Sequence, residues 1–351
     1  MTIHALTFTP GTAGSARVEE LDAPPGSGAV LATGLALGVC GTDLELLAGD
    51  YGWPAPGSDR LVLGHEGLGR VQEAPAGSGL APGDLVVGMV RHPDPGPCGC
   101  CATGRADLCR TGEYTERGIK ELDGFAASAW RVDAERAVRV DPRLGLHGVL
   151  VEPTSVVAKA WDRVDQAWTA CGTEASRVLV TGAGPVGLLA ALLGVQRGLE
   201  VHVLDREDAG PKPDLVRALG ATFHTGRATD AVGPFDVVVE ATGVGAVIVD
   251  ALGVLAADGV LCLTGLSPRG RTLQVDMGGA GTDLVLGNRQ VVGSVSAARA
   301  HYETAAAALA AADPDWLERM ITRRIPLADA GAPESLERRP QDVKAVIELG
   351  S

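Results

Sequence analysis

The stretch Val178-Leu-Val-Thr-Gly-Ala-Gly-Pro-Val-Gly187 decides the fold of the second half of this chain. Its apolar start predicts a strand, and the apolar residues that follow, to about Arg197, predict a helix. A glycine-rich turn with the spacing Gly-x-Gly-x-x-Gly joins the two. A second predicted strand ends at Asp205, 18 residues after Gly187. Strand, glycine turn, helix and distant acid together are typical of a dinucleotide-binding unit.

Each residue of the turn has a physical role in holding a dinucleotide. Gly182 permits the tight turn, Gly184 lets backbone amides approach a pyrophosphate, and Gly187 permits close packing of helix on strand. Pro185 and Val186 open the helix, whose first N–H groups and partial positive charge favour phosphate. These five residues are therefore candidate cofactor-binding residues.

The identity of the dinucleotide stays open between NAD and NADP. Asp205 is placed to accept hydrogen bonds from the adenosine ribose hydroxyls and favours NAD, because a 2′-phosphate would meet a carboxylate. Arg206 beside it could pair with that phosphate, and Lys212 is a weaker contributor to the same pocket. Further candidate cofactor-binding residues in this half of the chain are Thr242, Leu263 and Ser294.

Outward from this stretch, the two halves of the chain have different patterns. From about residue 150 onward strands and helices alternate, which predicts a parallel sheet with right-handed crossovers. The predicted elements are a helix over Val156–Val164, a helix over Pro213–Leu219, a strand over Val237–Val239, a helix over Ala246–Ala256, strands over Val260–Thr264 and Val291–Val295, a helix over His301–Ala312 and a strand over Val343–Glu348. The first 150 residues carry short β-like runs broken by Gly and Pro, such as Ala29–Leu37, Leu61–Val71 and Asp84–Val90, and predict a β-rich, barrel-like unit.

Composition excludes several classes of protein. The chain has 351 residues, of which 46% are apolar and 21% charged, so it can build a core and is not disordered. Its length suggests two domains. The net charge of −14 argues against nucleic acid or an anionic membrane as a partner. No apolar run reaches the roughly 20 residues of a membrane span, and no signal peptide is evident, so we expect a cytoplasmic protein.

Cysteine and histidine spacing predicts metal binding. Four of the seven cysteines lie between Cys98 and Cys109, and such crowding indicates metal ligands rather than disulfides. Cys40 ends one strand-like run, and His65 follows about 25 residues later after another. A thiolate and an imidazole at two strand ends suit zinc, with carboxylates as further ligands.

These motifs together resemble the zinc-dependent medium-chain alcohol dehydrogenase family. The resemblance rests on Cys40-Gly-Thr-Asp43, Gly64-His-Glu66, the cysteine-rich loop and the glycine fingerprint. The stretch from Tyr114 to Phe125, with Val151-Glu-Pro153 and Val292-Gly-Ser-Val295, is similar to the glucose 1-dehydrogenase branch.

The resemblance implies an α/β protein of two domains. A GroES-like β-rich catalytic domain would comprise residues 1–160 and 297–351, and a Rossmann doubly wound parallel sheet would comprise residues 161–296. It implies further that Cys40, His65, Glu66 and Glu152 bind the catalytic zinc. Thr42 matches the hydroxyl that hydrogen-bonds the reacting alcohol and relays its proton, and Asp43 is interpreted as structural.

The resemblance also implies a structural zinc on the cysteine-rich loop. The candidate ligands are Cys98, Cys100, Cys101 and Cys109. The earliest cysteine of the family pattern would fall near Pro95, so Cys100 or Asp94 could be the fourth ligand. Cys171 and Cys262 are interpreted as structural.

Four residues are candidates for binding the substrate. Glu116 matches a sugar-contacting glutamate of the branch, and Glu152 and His301 are further candidates, with Arg91 or His92 near another polar contact. Ser296 stands where members of the branch often carry an asparagine that faces both sugar and nicotinamide. A serine cannot offer the paired donor and acceptor of an amide, and Ala298 removes a second polar group.

The function implied is oxidation of a sugar or polyol hydroxyl with transfer of hydride to NAD(P)+, foremost oxidation of an aldose such as glucose at C1 to a lactone. The alternative keeps this chemistry on a cyclitol, an aminocyclitol or a sugar-bearing biosynthetic metabolite. A non-enzymatic dinucleotide-binding protein is the third class, which the presence of Cys40, Thr42 and His65 disfavours. Family members are commonly dimers or tetramers, so we expect a homo-oligomer.

Overall fold

A computed structural model of the chain describes residues 2–23, 28–168, 174–231, 233–266, 272–332 and 334–350. It divides into two compact units, the first comprising Met1–Ser155 with Ser296–Ser351 and the second Val156–Val295. Within these described ranges, no helix combines the length and the apolar character needed to cross a membrane.

The secondary structure comprises short strands and helices. In chain order, the strands are β1 (Thr2–Phe8), β2 (Arg17–Asp22), β3 (Val30–Val39), β4 (Leu61–Val62), β5 (Glu66–Glu73), β6 (Leu85–Gly88), β7 (Arg91–His92), β8 (Thr115–Arg117), β9 (Glu121–Leu122), β10 (Ala129–Val132), β11 (Ala137–Val140), β12 (Arg177–Thr181), β13 (Glu200–Leu204), β14 (Thr222–His224), β15 (Phe235–Glu240), β16 (Leu255–Leu263), β17 (Gln290–Gly293), β18 (Ile321–Pro326) and β19 (Lys344–Glu348). The α-helices are α1 (Gly41–Ala48), α2 (Gly99–Ala102), α3 (Val151–Trp168), α4 (Pro185–Gln196), α5 (Pro211–Ala218), α6 (Gly245–Gly253), α7 (Met277–Leu286), α8 (Arg299–Ala310) and α9 (Pro314–Met320).

The first unit is β-rich, as the sequence predicts. Its main sheet has the strand order β11-β6-β5-β3-β19-β18, with β10 also paired to β3. Two three-stranded sheets, β2-β1-β4 and β7-β8-β9, complete it. The core beneath these sheets includes Phe8, Phe125 and Trp130, all fully buried, and the rings of Phe125 and Trp130 meet edge to face with centroids 4.9 Å apart. The late strand β19 lies against β3, so the end of the chain completes the sheet that carries Cys40.

The second unit is a six-stranded parallel sheet in the order β14-β13-β12-β15-β16-β17. This is the doubly wound order, which reverses direction at β12, where the glycine turn begins. Strands β12 and β15 are almost wholly buried, as expected for parallel strands with both faces covered. The predicted α/β class is therefore confirmed.

Among the element boundaries that differ from the sequence prediction, two have a clear physical reason. The helix predicted over Ala246–Ala256 ends at Gly253, and β16 already begins at Leu255, because Leu255 pairs with Phe235 of β15. The run Leu61–Val71 is divided into β4 and β5. Gly64 lies between them in the left-handed region at φ +93°, which a continuous strand does not allow. Of the two cysteines interpreted as structural, Cys262 is buried in β16, and Cys171 lies outside the described residues.

Candidate metal and dinucleotide sites

Cys40, His65 and Glu66 converge because two antiparallel strands place their ends together. Cys40 directly follows β3, His65 directly precedes β5, and the register aligns Gly38 with Glu66. Cys40 Sγ lies 3.1 Å from His65 Nε2. One ligand atom from each of the three residues lies within 4.8 Å of the other two. Thiolate, imidazole and carboxylate in one cluster form a donor set that suits zinc.

Asp43, in the first turn of α1, contacts both Cys40 and His65. Its Oδ2 accepts a hydrogen bond from the Cys40 N–H at 2.9 Å, and its Oδ1 lies 3.3 Å from His65 Nδ1. Burial lowers the pKa of His65, but the Cys40 sulfur and the Asp43 carboxylate outweigh burial and raise that pKa well above its ordinary value. A carboxylate behind a histidine fixes the orientation of the ring and leaves Nε2 to face a metal. The local field therefore favours a cation beside Cys40.

Lys344 forms an ion pair with Glu66 inside the sheet. Both side chains are almost fully buried, and Lys344 is the first residue of β19, the strand beside β3. Burial lowers the pKa of Lys344, but Glu66 and Cys40 more than compensate and raise it above the ordinary value. Gly38 makes the pair possible, because a Cβ at that position would collide with the Glu66 carboxylate. The pair engages the Oε2 oxygen of Glu66.

Glu152 faces the same cluster from the start of α3. Burial, together with the charges of Glu66 and Asp43, raises the pKa of Glu152 to about 8, although His65 and Lys344 act in the opposite direction. A carboxylate held in a dry pocket among other negative groups needs a cation to stay ionised. The charge of Glu152 thus interacts with the cluster, but the three residues whose ligand atoms converge do not include it, and its role as a ligand stays a prediction.

Thr42 lies in the first turn of α1, two residues after Cys40. Burial raises the pKa of Tyr51 to about 12, and a hydrogen bond with the Thr42 side chain lowers it in part. The Tyr51 hydroxyl in turn donates to Glu45 Oε2 at 3.1 Å. Since Glu45 is exposed, the Tyr51 hydroxyl is hydrogen-bonded to a side chain that reaches solvent.

The glycine turn of the second unit has the shape of a phosphate cradle. Gly182 lies in the left-handed region at φ +94°, and a Cβ on Gly187 would collide with the Gly182 carbonyl oxygen. Gly184 caps α4, and a Cβ there would meet no atom within 4 Å. Pro185 is the first residue of α4, and Val186 follows it. Open space before a 12-residue helix is where a pyrophosphate would lie.

Asp205 is held against this turn by its own hydrogen bonds. Its Oδ2 accepts from the Ala183 N–H at 2.6 Å, and its Oδ1 accepts from the Glu207 N–H at 3.0 Å. Lys212 is buried, with its Nζ 3.5 Å from Asp205 and 3.0 Å from Glu207. Arg206 is exposed. Lys212 therefore pairs with two carboxylates, whereas the Arg206 side chain is exposed to solvent.

The other predicted cofactor-binding residues border the sheet. Thr242 follows β15, where its N–H donates to Glu240 Oε1 at 2.7 Å and its hydroxyl accepts from the Val244 N–H at 3.0 Å. Leu263 ends β16 and is half-buried. Ser294 follows β17, and its hydroxyl is buried with no protein partner in the described part of the chain. All three follow or end strands at their carboxyl ends, the edge where open α/β sheets bind ligands.

The cysteine-rich loop brings three of its four sulfurs together. Cys98, Cys101 and Cys109 form a cluster with sulfur atoms within 4.8 Å of one another. Cys100 lies outside this cluster. Asp94, the other candidate for fourth ligand, accepts hydrogen bonds from the Gly96 N–H at 2.8 Å and the Thr111 hydroxyl at 2.6 Å.

Sequence comparison agrees with this arrangement over nearly the whole chain. Residues 26–142 match the alcohol dehydrogenase GroES-like domain, and residues 145–349 match the glucose dehydrogenase C-terminus. The chain belongs to the glucose dehydrogenase branch of the zinc-dependent medium-chain dehydrogenase family.

Relatives in this family align along the full length of the chain. Glucose 1-dehydrogenase of Methanocella arvoryzae is 39% identical, over 99% of this chain and 100% of that protein. Glucose 1-dehydrogenase of Thermoproteus tenax is also 39% identical, over 99% of each chain. The glucose dehydrogenase of Haloferax mediterranei, solved in complex with NADP, Zn and gluconolactone, superposes with a TM-score of 0.89 at 30% identity, over 99% of each chain.

The predicted substrate residues of this dehydrogenase family member lie in different settings. Glu116 pairs with Arg91 across β7 and β8. Ser296 has φ +61°, a left-handed conformation that asparagine adopts more readily than serine. His301 Nδ1 accepts a hydrogen bond from the Ala298 N–H at 3.0 Å and so caps α8. The structure therefore gives His301 a helix-capping role, and its substrate contact stays a prediction.

Besides Tyr51 and Glu45, two fully buried residues of the site were missed in the sequence. The sequence could have indicated a buried charge at Lys344, because this lysine is the one charged residue within the apolar run from Val343 to Ile347. Tyr302 is fully buried, and its hydroxyl accepts a hydrogen bond from the Val90 N–H at 3.2 Å. Burial raises the pKa of Tyr302 well above its ordinary value, and Glu152 and Glu116 raise it further. No local pattern distinguishes Tyr302 from a core residue.

Proposed function

We propose that this chain is a zinc- and NAD(P)-dependent dehydrogenase that oxidises the C1 hydroxyl of an aldose, foremost glucose, to a lactone. The observation that carries the proposal is the buried cluster of Cys40, His65 and Glu66, in a chain whose second unit bears the dinucleotide turn. Support comes from relatives named glucose 1-dehydrogenase and from the Haloferax mediterranei enzyme bound to NADP, Zn and gluconolactone. Gluconolactone is the product of glucose oxidation at C1.

When bound, zinc would supply Lewis acidity that lowers the pKa of the reacting hydroxyl, and the nicotinamide would supply the hydride acceptor. Cys40 and His65 would hold the metal, with Glu66 and Glu152 as carboxylate ligands. Asp43 would keep Nε2 of His65 facing the metal. Lys344 would limit the freedom of Glu66 by engaging one of its oxygens.

The proton of the substrate hydroxyl needs a route to water. We infer that Thr42 accepts it and that Tyr51 and Glu45 carry it to solvent, since Tyr51 hydrogen-bonds Glu45 and contacts Thr42. A tyrosine of high pKa suits this role, because it remains protonated and can pass one proton while receiving another.

The nucleotide would lie on the turn from Gly182 to Gly187, with its adenosine ribose at Asp205. Asp205 and Glu207 place two carboxylates at the ribose, which supports NAD over NADP. Replacing Asp205 with alanine should therefore weaken NAD binding more than NADP binding. Titration of both nucleotides against the zinc-loaded protein measures this, and unchanged selectivity would refute the assigned role of the carboxylate.

A second substrate class is supported by Ser296 and Ala298, which replace polar residues of the branch. A site with fewer hydrogen-bonding groups can change its preference among hydroxylated substrates. Rates on glucose, galactose, xylose and myo-inositol, each with NAD and NADP, test both candidates. Preference for an aldose with lactone as product supports the first, preference for the cyclitol supports the second, and turnover of neither contradicts both.

We further propose a homo-oligomer assembled through the second unit. Met277, Val285 and Leu286 on α7 are 63%, 75% and 79% exposed, and β17, which follows α7 in the chain, is an edge strand. An edge strand with open backbone groups can pair with the same strand of a second copy about a twofold axis. Sedimentation should show a dimer or a larger assembly, and Leu286→Glu should shift it toward monomer.

A cytoplasmic location also stays our proposal, because crowded cysteines suit metal ligation in a reducing compartment.

A further inference from the structure

A lysine is almost wholly buried in the second unit. Lys159 is 2% exposed and lies in the part of α3 that belongs to this unit. Its Nζ donates a hydrogen bond to the Val295 carbonyl oxygen at 2.8 Å. Burying an ammonium group costs free energy that only fixed partners recover. An apolar side chain of similar size would fill the same volume without that cost, so the ammonium group of Lys159 has a role beyond packing.

Helix α3 is hydrogen-bonded to β17 and to the residues just after it. Gln290 is the first residue of β17, and its Nε2 donates to the Ala167 carbonyl of α3 at 2.9 Å. Val295 follows the last residue of the same strand by two positions, and its carbonyl accepts from Lys159 of the same helix. A strand held at its start and just beyond its end has little freedom to slide. Lys159 therefore fixes where the chain leaves the carboxyl end of β17.

The three residues from Ser294 to Ser296 carry the features of a ligand-binding segment. The Ser294 N–H donates to the Leu263 carbonyl at 3.0 Å, whereas its hydroxyl is buried with no protein partner among the described residues. Ser296 has φ +61°, which costs free energy for a serine. Such a backbone conformation persists only where neighbouring groups hold it. Lys159 binds the carbonyl of the residue directly before Ser296 and so contributes to holding it.

The strand order places this segment on the nicotinamide side of the sheet. A dinucleotide lies across the carboxyl edge of such a sheet, with its phosphates at the glycine turn where the strand order reverses. Asp205, the proposed ribose ligand, follows β13 on one side of β12, and β17 lies at the far end on the other side. The nicotinamide end would therefore extend toward β15, β16 and β17. Its carboxamide offers both donors and an acceptor, which suits the unpaired Ser294 hydroxyl.

We propose that Lys159 is a positioning residue for the nicotinamide end of the cofactor. By holding the Val295 carbonyl, it fixes the segment from Ser294 to Ser296 in the conformation that receives the nicotinamide. This inference rests on the proposed NAD(P)-dependent function and goes beyond it, since it assigns the ordering of one half of the cofactor to a buried lysine. Lys159 acts through the backbone of Val295 and takes no part in hydride or proton transfer.

The test compares NADH with ADP-ribose, which lacks the nicotinamide. The wild-type protein should bind NADH about tenfold or more tightly than ADP-ribose, because only NADH reaches the segment from Ser294 to Ser296. In Lys159→Met this preference should shrink to about threefold or less, while the affinity for ADP-ribose stays within about twofold of wild type. Calorimetric titration measures both affinities, with the 2′-phosphorylated form of each ligand if the wild type prefers NADP. Lys159→Gln keeps a donor without the charge and should be intermediate; it also serves if the methionine variant does not fold.

A second buried lysine of the same unit is the matched control. Lys212 is 4% exposed and pairs with Asp205 and Glu207 at the adenosine end, so Lys212→Met should change both affinities by the same factor and keep the preference for NADH. The proposal is overturned if Lys159→Met keeps the wild-type preference, if Lys212→Met loses it equally, or if the wild type binds NADH no more tightly than ADP-ribose. A wild-type protein that shows the preference but oxidises no sugar contradicts the proposed substrate instead, and the comparison of the two variants still decides the role of Lys159.

Discussion

Cys40, His65 and Glu66 offer sulfur, nitrogen and oxygen from the ends of two strands, whereas Cys98, Cys101 and Cys109 offer three sulfurs from one loop of 12 residues. The first cluster is surrounded by buried charges, among them Asp43, Glu152 and Lys344. The second lies near the surface, where a hydrogen bond from the Arg110 N–H is the main cause that lowers the pKa of Cys98 to about 6.

The differences in ligand type and in surroundings indicate that thiolates have different roles in the two clusters. Mixed ligands on separate strands, with acids beyond the first three, can leave a coordination position for substrate, which is the property of a catalytic zinc site. A set of sulfurs on one loop can be closed by local folding and serves to hold that loop. The two sites should therefore respond differently to the same substitution.

The largest difference should come from serine substitution of one cysteine in each cluster. Cys40→Ser should lower kcat by about 10³-fold or more, because the Lewis acid that activates the hydroxyl is lost. Its dinucleotide affinity should stay within about threefold, since the glycine turn belongs to the other unit. Cys98→Ser should keep kcat within about threefold. Steady-state rates and nucleotide titrations measure these effects. Equal loss of turnover in both variants would contradict the assignment of a catalytic role to the first cluster alone.

The next effect should come from the carboxylate behind His65. Asp43→Asn removes the charge that orients the imidazole, and the zinc affinity of this cluster should fall about 10- to 100-fold. Zinc competition with a fluorescent chelator measures the affinity directly. Asp50→Asn, an exposed acid shortly after α1, is the matched control. If both variants bind zinc like the wild type, Asp43 has no part in the site.

A smaller effect should appear in stability at the cysteine-rich loop. Cys101 is the buried member of its cluster, and Cys101→Ser should lower the free energy of unfolding by about 2 kcal/mol, within the usual range for loss of a buried structural contact. Urea unfolding of the zinc-loaded protein measures it, with Cys100→Ser as the control outside the cluster. A Cys100→Ser variant as unstable as Cys101→Ser would place the fourth ligand at Cys100.

The smallest effect should be a pH dependence of stability that arises from His92, which lies shortly before the cysteine-rich loop. Burial lowers the pKa of His92 from 6.5 to about 3, and Arg117 and Arg136 contribute. The unfolded chain therefore binds a proton that the folded chain rejects, so His92 costs stability as the pH falls below about 6.5. At pH 5.5 the cost is about 1.4 kcal/mol relative to pH 7.5. His92→Gln should flatten this part of the curve, and His4→Gln should not; a wild-type curve that is already flat contradicts the assignment.

Local sequence pattern determined much of this protein. The glycine turn, the strand before it and the acid at Asp205 predicted the parallel sheet, because each depends on residues close together in the chain. Cys40 and His65 were predictable because residue type and strand ends together indicate a metal. The division of Leu61–Val71 at Gly64 was not predicted, since a glycine in an apolar run shows its φ only when neighbouring strands fix it.

What only the tertiary structure decided is which distant side chains surround these motifs. Lys344 reaches Glu66 because β19 pairs with β3. Tyr302 binds the distant Val90 N–H, although its sequence pattern is that of a core residue in an alanine-rich helix. Arg91 and Glu116 become partners through a strand register that no local periodicity reveals. Periodicity reports which face of an element is buried, whereas the partners of a buried charge depend on contacts between segments far apart in the chain.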